Sequence, residues 1–368
     1  MKIAFLGPAY PLRGGIAQFM AILAEKLQER GHEIKIFSFK KQYPKIIFPG
    51  KEQIEKSKMV IDLPIESYLV PYNPCTYRKT AKEILAFAPD LLILKYWIPF
   101  FAPAFGYIIS RIKKKSNIKV LYNIDNIDFH EKWVGGDLLT KYAFRKADFF
   151  ITMSDSVDKS LFKLFPKLAK DCVVKINHPT YDFYASEQKQ NFSFQHNLLF
   201  FGYIKPYKGL DTLLEAMPMV LEKMPQLKLT IAGEVYGDDS LYLDLIKKHS
   251  LEKNVILHDR YISNEEVKEF FLDADVCVLP YKHATQSGII QLSYAFGVPV
   301  IATAVGGIPE VIHQGKTGSL VPVDDSQTLA KAIIAFYEDF DLKESYQYIL
   351  QENSKYSWEP FLEVIEKL

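Results

Sequence analysis

The chain has 368 residues, of which 48% are hydrophobic and 24% charged, and its formal net charge is +1. That length suits two domains of ordinary size, and the balanced charge offers no electrostatic footprint for nucleic acid or an acidic polymer. Three scattered cysteines, Cys75, Cys172 and Cys277, have no CxxC spacing, which argues against a disulfide framework or a zinc site and fits a reducing compartment.

The opening MKIAFLGPAYPLRGG has too short an apolar run for a signal peptide. No stretch approaches the roughly twenty apolar residues of a membrane span, so a cytoplasmic protein is expected. KIAFLG reads as a buried strand. IAQFMAILAEKLQERG then sets Ile16, Phe19, Met20, Leu23 and Leu27 on one helical face and stops at Gly31. EIKIFSF, DLLILKY, IKVLYNI and DFFITMS are further strands with helical sequence between them. Such βαβ alternation implies a parallel sheet covered by helices.

Within this half, WIPFFAPAFGYIISRIKKK is aromatic and apolar with a basic end. Two readings stand: a helix packed on the sheet with solvated lysines, or a peripheral seat at the inner face of an anionic membrane. The periodicity fades over YDFYASEQKQNFSFQ and restarts with NLLFFGYI, LKLTIAG, VILHDRYI, DVCVLPY and PVIAT. The expected organisation is therefore a first domain over 1–182, a linker over 183–195, a second domain over 196–352 and a terminal helix over 353–368. In that last stretch Trp358, Phe361, Leu362 and Ile365 form an apolar stripe. It suits packing back on the first domain as well as an ordinary terminal helix on the second. Two doubly wound domains would face each other across a cleft lined by the strand carboxyl ends.

Four short segments carry the chemistry. In PLRGGIAQF, Gly14 and Gly15 open a helix, where free N–H groups and the helix dipole favour an anion; the spacing is not GxGxxG. FFGYIKPYKGLDTLLEA places Lys205 and Lys208 in a glycine-flanked loop after a strand, as cations suited to a diphosphate. HATQSG brings Gln286, Ser287 and Gly288 to another helix start, a neutral anion site. VGGIPEVI follows a strand and carries Glu310, suited to a sugar or ribose hydroxyl or to capping a helical turn.

The order of a glycine pair, KGLDTLLEA, AFGVPVIAT and VGGIPEVIHQGKTGSLVP resembles glycosyltransferase family 4 over nearly the whole chain. That resemblance implies the GT-B fold of two Rossmann-like domains. It also implies metal-independent transfer, with retention of anomeric configuration, from a nucleotide-sugar to a glycan or lipid-linked acceptor, as in bacterial surface polysaccharide assembly. The nucleotide-sugar is a substrate, and no cofactor is implied. Gly14 and Gly15 match the glycines that face the donor phosphates, and Lys208 matches the lysine on the diphosphate. Tyr203 stands where the family commonly has an arginine, with Lys205 as the nearest replacement. Arg260 and Tyr261 match the loop near the nucleotide base.

For the first domain, His130 is the expected site residue beside the anomeric carbon, with Asp125 and Asp128 as alternatives. INHPTYDFY, with His178 and Tyr181, resembles the family's hinge. One departure stands out. The two glutamates usual upstream of the AFGVPV segment fall on Ala284 and Leu292. Gln286, Ser287 and Gln291 are the polar neighbours left to replace them. A divergent working enzyme is the leading reading, and an inactive glycosyltransferase-like partner subunit is its rival.

Overall fold

In the computed structural model, residues 1–44, 48, 50–127, 135–184 and 191–368 are described. The chain divides into two compact units. The first comprises Met1–Lys56, Val60–Asn177 and Trp358–Leu368, and the second Ser57–Met59 with His178–Ser357.

The first unit holds strands β1 (Lys2–Leu6), β2 (Glu33–Phe39), β3 (Ile65–Leu69), β4 (Leu91–Tyr96), β5 (Lys119–Ile124), β6 (Phe149–Thr152) and β7 (Val173–Lys175). They pair in the order β3-β2-β1-β4-β5-β6-β7, every ladder parallel. Helices α1 (Gly15–Glu29), α2 (Cys75–Phe87), α3 (Ala102–Lys113), α4 (Gly136–Phe144) and α5 (Asp155–Leu164) connect them. The central strands are buried on both faces; Ile3, Phe5, Leu92, Leu94, Val120 and Tyr122 have no exposed surface. That is why their sequences read as continuous apolar runs instead of alternating ones.

On α1 the predicted stripe is buried at Phe19, Met20, Leu23 and Leu27, while Ile16 is only partly covered. Phe19 of this stripe meets the segment around the last helix of this unit. The Phe19 ring lies 4.9 Å from Trp358 and 5.6 Å from Phe361. Phe361 and Ile365 are fully buried, and each such side chain contributes about 2–3 kcal/mol of apolar burial. Arg30, projecting from the end of α1, pairs with Glu359 and Glu366, and His32 adds a 3.0 Å contact to Glu366.

In the second unit, strands β8 (Asn197–Phe201), β9 (Lys228–Ala232), β10 (Val255–His258), β11 (Val276–Leu279), β12 (Val300–Thr303) and β13 (Gly318–Val321) form a parallel sheet in the order β10-β9-β8-β11-β12-β13. It carries α6 (Leu210–Lys223), α7 (Ser240–Lys248), α8 (Val267–Asp273), α9 (Gly288–Ala295), α10 (Ser326–Asp339) and α11 (Leu342–Glu352), while α12 (Glu359–Glu366) is the helix already met in the first unit. Phe192 and Phe194, just before β8, pack their rings on Tyr346 and on Phe336 and Tyr337. Among the described residues, no helix is long and apolar enough to cross a membrane.

Candidate functional site

Strand order locates the site in the second unit. The chain leaves β8 toward β9 on one side and leaves β11 toward β12 on the other, although β8 and β11 are neighbours. Two loops therefore part at the carboxyl end of this pair, and such a switch point is where open α/β sheets hold ligands.

Glycines let these loops touch. Gly209, at φ +69°, presses on Pro280; a Cβ there would lie 1.9 Å from the Pro280 carbonyl oxygen. Gly233 crosses Gly202 equally closely, and Gly306 crosses Ala284. Backbone bonds complete the frame: the Lys282 amide donates to the Tyr207 carbonyl over 2.8 Å, and the Gly307 amide to the Thr285 carbonyl over 3.0 Å. The turn holding Lys208, the loop before α9 and the VGGIPE loop are thus one backbone assembly.

At its centre the Lys208 ammonium donates to the Tyr281 phenol oxygen over 2.7 Å and lies 4.0 Å from that ring's centroid. Burial pushes the Lys208 pKa below the ordinary lysine value, a desolvation that a neighbouring carboxylate does nothing to offset. Beneath it sits Cys277, whose thiol burial pushes up to about 12 while the Lys208 charge pulls the other way. The Ser287 hydroxyl is buried and makes no hydrogen bond. Ser287 is the N-cap of α9, yet its side chain caps no helix amide, so the first amides of this helix gain no side-chain partner from it. A Cβ on Gly288 would meet the Tyr181 hydroxyl at 3.3 Å, and the His178 Nε2 lies 3.8 Å from the same point. His178 and Tyr181, expected as hinge residues, border the helix start. One turn along, Gln291 is 1% exposed and its Oε1 has no hydrogen-bond partner.

The other predicted donor residues form a second cluster at the carboxyl ends of β8, β9 and β10. Tyr203 lies 4.5 Å from Tyr236 and stacks on Tyr261 at 6.3 Å between centroids. Lys205 reaches this trio, its ammonium 5.6 Å from the Tyr236 centroid, whereas Lys208 turns to Tyr281; the two lysines do not converge on one partner. Arg260 is exposed and grips Glu266 with two guanidinium nitrogens at 2.9 and 2.5 Å. The Arg260 guanidinium, joined by Ser263, holds the Glu266 carboxyl down at about 2 despite some desolvation. Glu310 is exposed in a short 3-10 turn behind the Gly306–Gly307 crossing. Gln286 lies in the loop that ends at Ser287. Ala284 lends its carbonyl to the Gly306 crossing, and Leu292 is 6% exposed, so both positions aligned with the usual glutamates are structural here.

In the first unit Gly14 sits at φ +114° as the N-cap of α1, without a side-chain cap, and Gly15 is the first helical residue. Asp125 follows β5 and pairs with the buried Lys95 over 2.7 Å. Lys95 and Asn123 are register partners on β4 and β5. His130 and Asp128 lie outside the described residues.

Sequence reasoning missed Tyr281 and Tyr236. DVCVLPY reads only as a buried strand, and a tyrosine at its end carries no signal until the β8 loop is folded onto it.

Comparison with known proteins now assigns the two units. The model for Glycosyltransferase Family 4 matches residues 13–175, and that for Glycosyl transferases group 1 matches residues 195–339. The phosphatidyl-myo-inositol mannosyltransferase of Mycolicibacterium smegmatis is 24% identical over 97% of this chain and 90% of that enzyme. A D-inositol 3-phosphate glycosyltransferase of Pseudarthrobacter chlorophenolicus is 33% identical, but over only 39% of this chain and 34% of that enzyme. Among solved structures, sucrose-phosphate synthase of Thermosynechococcus elongatus superposes with a TM-score of 0.73 at 18% identity, covering 100% of this chain and 98% of that one. Anabaena HepE in complex with UDP superposes with a TM-score of 0.72 at 16% identity over the whole of both chains. These neighbours share the GT-B fold. The chain thus carries a Glycosyltransferase Family 4 domain over 13–175 and a Glycosyl transferases group 1 domain over 195–339, one on each Rossmann-like unit of a GT-B fold.

Proposed function

We propose that this glycosyltransferase moves a sugar from a nucleotide-sugar to a glycan or lipid-linked acceptor, with retention at the anomeric carbon and without a metal, in bacterial surface polysaccharide assembly. The observation that carries the reading is the desolvated Lys208 ammonium beside the uncapped start of α9, at the switch point of the group 1 domain. As the bond from sugar C1 to the diphosphate oxygen breaks, its electron pair leaves with the diphosphate. Lys208 and the Ser287–Gly288 amides stabilise that charge in a low-dielectric setting, where they act most strongly. A departing phosphate oxygen takes the proton of the acceptor hydroxyl, whose oxygen forms the new bond to C1 on the face the diphosphate leaves. Gln286, Gln291 and Glu310 meet sugar or ribose hydroxyls in place of the family's glutamates.

The nucleotide base stacks on Tyr203, Tyr236 and Tyr261, with Lys205 above them and Arg260 buttressing the loop. UDP heads the panel of donors, since a structural neighbour is seen with it. The test is binding and nucleotide release with UDP-, GDP- and dTDP-sugars. One donor should bind and be slowly hydrolysed, and Lys208→Ala should lose at least tenfold in diphosphate affinity. If no donor binds or turns over, the apolar Ala284 and Leu292 positions have the other meaning, a non-catalytic partner subunit.

A lipid-linked acceptor would place the outer face of α3 near anionic lipid. Tyr107 on α3 is exposed, as are Lys114 and Lys115 just past the end of that helix. Flotation with vesicles containing phosphatidylglycerol, and not with pure phosphatidylcholine, is the expected result, and Lys114→Glu with Lys115→Glu should abolish it.

A further inference from the structure

Tyr281 is among the largest side chains wholly inside the molecule, at 1% exposure, yet its oxygen is in use. It accepts from the Lys208 ammonium, while the Ser287 hydroxyl at the start of α9 is buried without a hydrogen-bond partner. Its main-chain carbonyl accepts from Thr303 Oγ1 over 2.5 Å, which ties it to the end of β12. The backbone on either side is equally fixed. Gly209 rests on the Pro280 carbonyl, and the Lys282 amide binds the Tyr207 carbonyl. The neighbouring Lys282 side chain is neutralised by Asp211 at 2.7 Å and Asp324 at 3.1 Å; among the described residues no carboxylate pairs with Lys208. A lysine left to itself is a mobile point charge with three donors on a four-carbon stem. Here one neutral oxygen holds it, so the charge stays uncompensated and available to an anion.

We infer that Tyr281 is a positioning residue that clamps the Lys208 ammonium against the start of α9, so that the lysine and the helix amides act as one preformed diphosphate cradle. This rests on the reading of Lys208 given above and adds a residue to it. An acceptor oxygen favours the charged lysine, so removing it should make the ammonium ionise more readily and move more freely.

The test is Tyr281→Phe, which deletes one oxygen and keeps the ring, alongside Lys208→Ala and the double variant. UDP, GDP and inorganic pyrophosphate serve as diphosphate probes, and uridine and guanosine as nucleoside controls. Tyr281→Phe should weaken diphosphate binding five- to twenty-fold and leave nucleoside binding within twofold. It should also shift the alkaline limb of the diphosphate pH profile to lower pH. The double variant should bind no more weakly than Lys208→Ala alone. Unchanged diphosphate affinity and pH limb in Tyr281→Phe, with Lys208→Ala defective, overturns the clamp alone. Equal losses of nucleoside and diphosphate binding overturn it too, as they mark a structural role. If Lys208→Ala has no effect, the reading of Lys208 itself fails. Should Tyr281→Phe not fold, NMR of the wild-type protein decides. Distinct, unaveraged Lys208 Hε shifts with cross-peaks to the Tyr281 ring are expected, and averaged shifts without them overturn the clamp.

Discussion

A Cβ on Gly209 would stand 1.9 Å from the carbonyl oxygen of Pro280, so the turn after β8 and the end of β11 touch backbone to backbone. Gly209 also sits at φ +69°, a conformation that costs an ordinary residue about 1–2 kcal/mol. Gly315 has nearly the same angle, φ +72°, with nothing within 4 Å of its would-be Cβ. The two therefore separate strain from collision. Gly315→Ala should cost about 1 kcal/mol. Gly209→Ala should cost about 3 kcal/mol or more, because backbone must move, and it should carry Lys208 out of place. Thermal melts and diphosphate binding check both; equal destabilisation would show that the close crossing is not what requires glycine.

The paired acids of the second unit give it an acid-sensitive element. Glu265, though partly desolvated, accepts from the Ser57 hydroxyl and the amides of Lys58 and Met59. Those bonds, with its own amide, bring it to about 2. Glu266, beside it, is held at about 2 chiefly by Arg260. Both folded values lie below the ordinary glutamate value, so the stability they contribute is present above about pH 4.5 and drains away as pH falls toward 2. Both sites are open to water, and screening reduces each contribution to about 1 kcal/mol. Glu265→Gln should lower the melting temperature by a few degrees at pH 7 and by clearly less at pH 2.5. A deficit as large at pH 2.5 as at pH 7 would sink this account. Arg260→Ala should release Glu266 toward its ordinary value, read as a smaller loss of stability between pH 4.5 and 2.

The helix at the end of the first unit offers a contrast between apolar and ionic contacts. Phe361 is fully buried against Phe19, and Phe361→Ala should destabilise this unit by about 3–5 kcal/mol. Glu366 pairs with Arg30 and His32 at an exposed site. Exposed pairs add little, so Glu366→Ala should move the melting temperature by no more than a degree or so, and less in high salt. A Glu366 effect matching that of Phe361 would mean that the ion pairs, and not the ring contacts, hold the helix.

Much of this was legible in the chain. The apolar runs and the α1 stripe marked the βαβ order because burial on both faces of a parallel sheet writes itself into the sequence. The helix start at Ser287–Gly288 and the lysine loop were legible too, since glycines and donors cluster visibly. Direction was not. Two lysines three residues apart face Tyr236 and Tyr281 respectively, because the short 3-10 turn of Pro206–Lys208 rotates one away from the other. Partners distant in sequence escaped as well. Tyr281 reads as a core residue, and Arg260 reads as a free cation until Glu266 folds against it.

The buried pair in the first unit yields the last prediction. Lys95 is 2% exposed, lies 3.4 Å from the centroid of the Phe19 ring and pairs with Asp125 at 2.7 Å. Burial pushes its pKa down, and Asp125 opposes that. Removing the carboxylate strands an ammonium in an apolar setting, so Asp125→Asn should cost about 3–5 kcal/mol at pH 7. The sign of the pH dependence follows. Without Asp125 the folded-state pKa of Lys95 falls further below the unfolded value of about 10.4. Between the two values the unfolded chain binds a proton that the folded chain lacks, and stability rises with pH there. The deficit of Asp125→Asn should therefore shrink from pH 7 to pH 10, and adding Lys95→Met should recover most of it at pH 7. A deficit that is flat with pH, and that the methionine does not relieve, would show that Asp125 matters for its loop and not for the lysine.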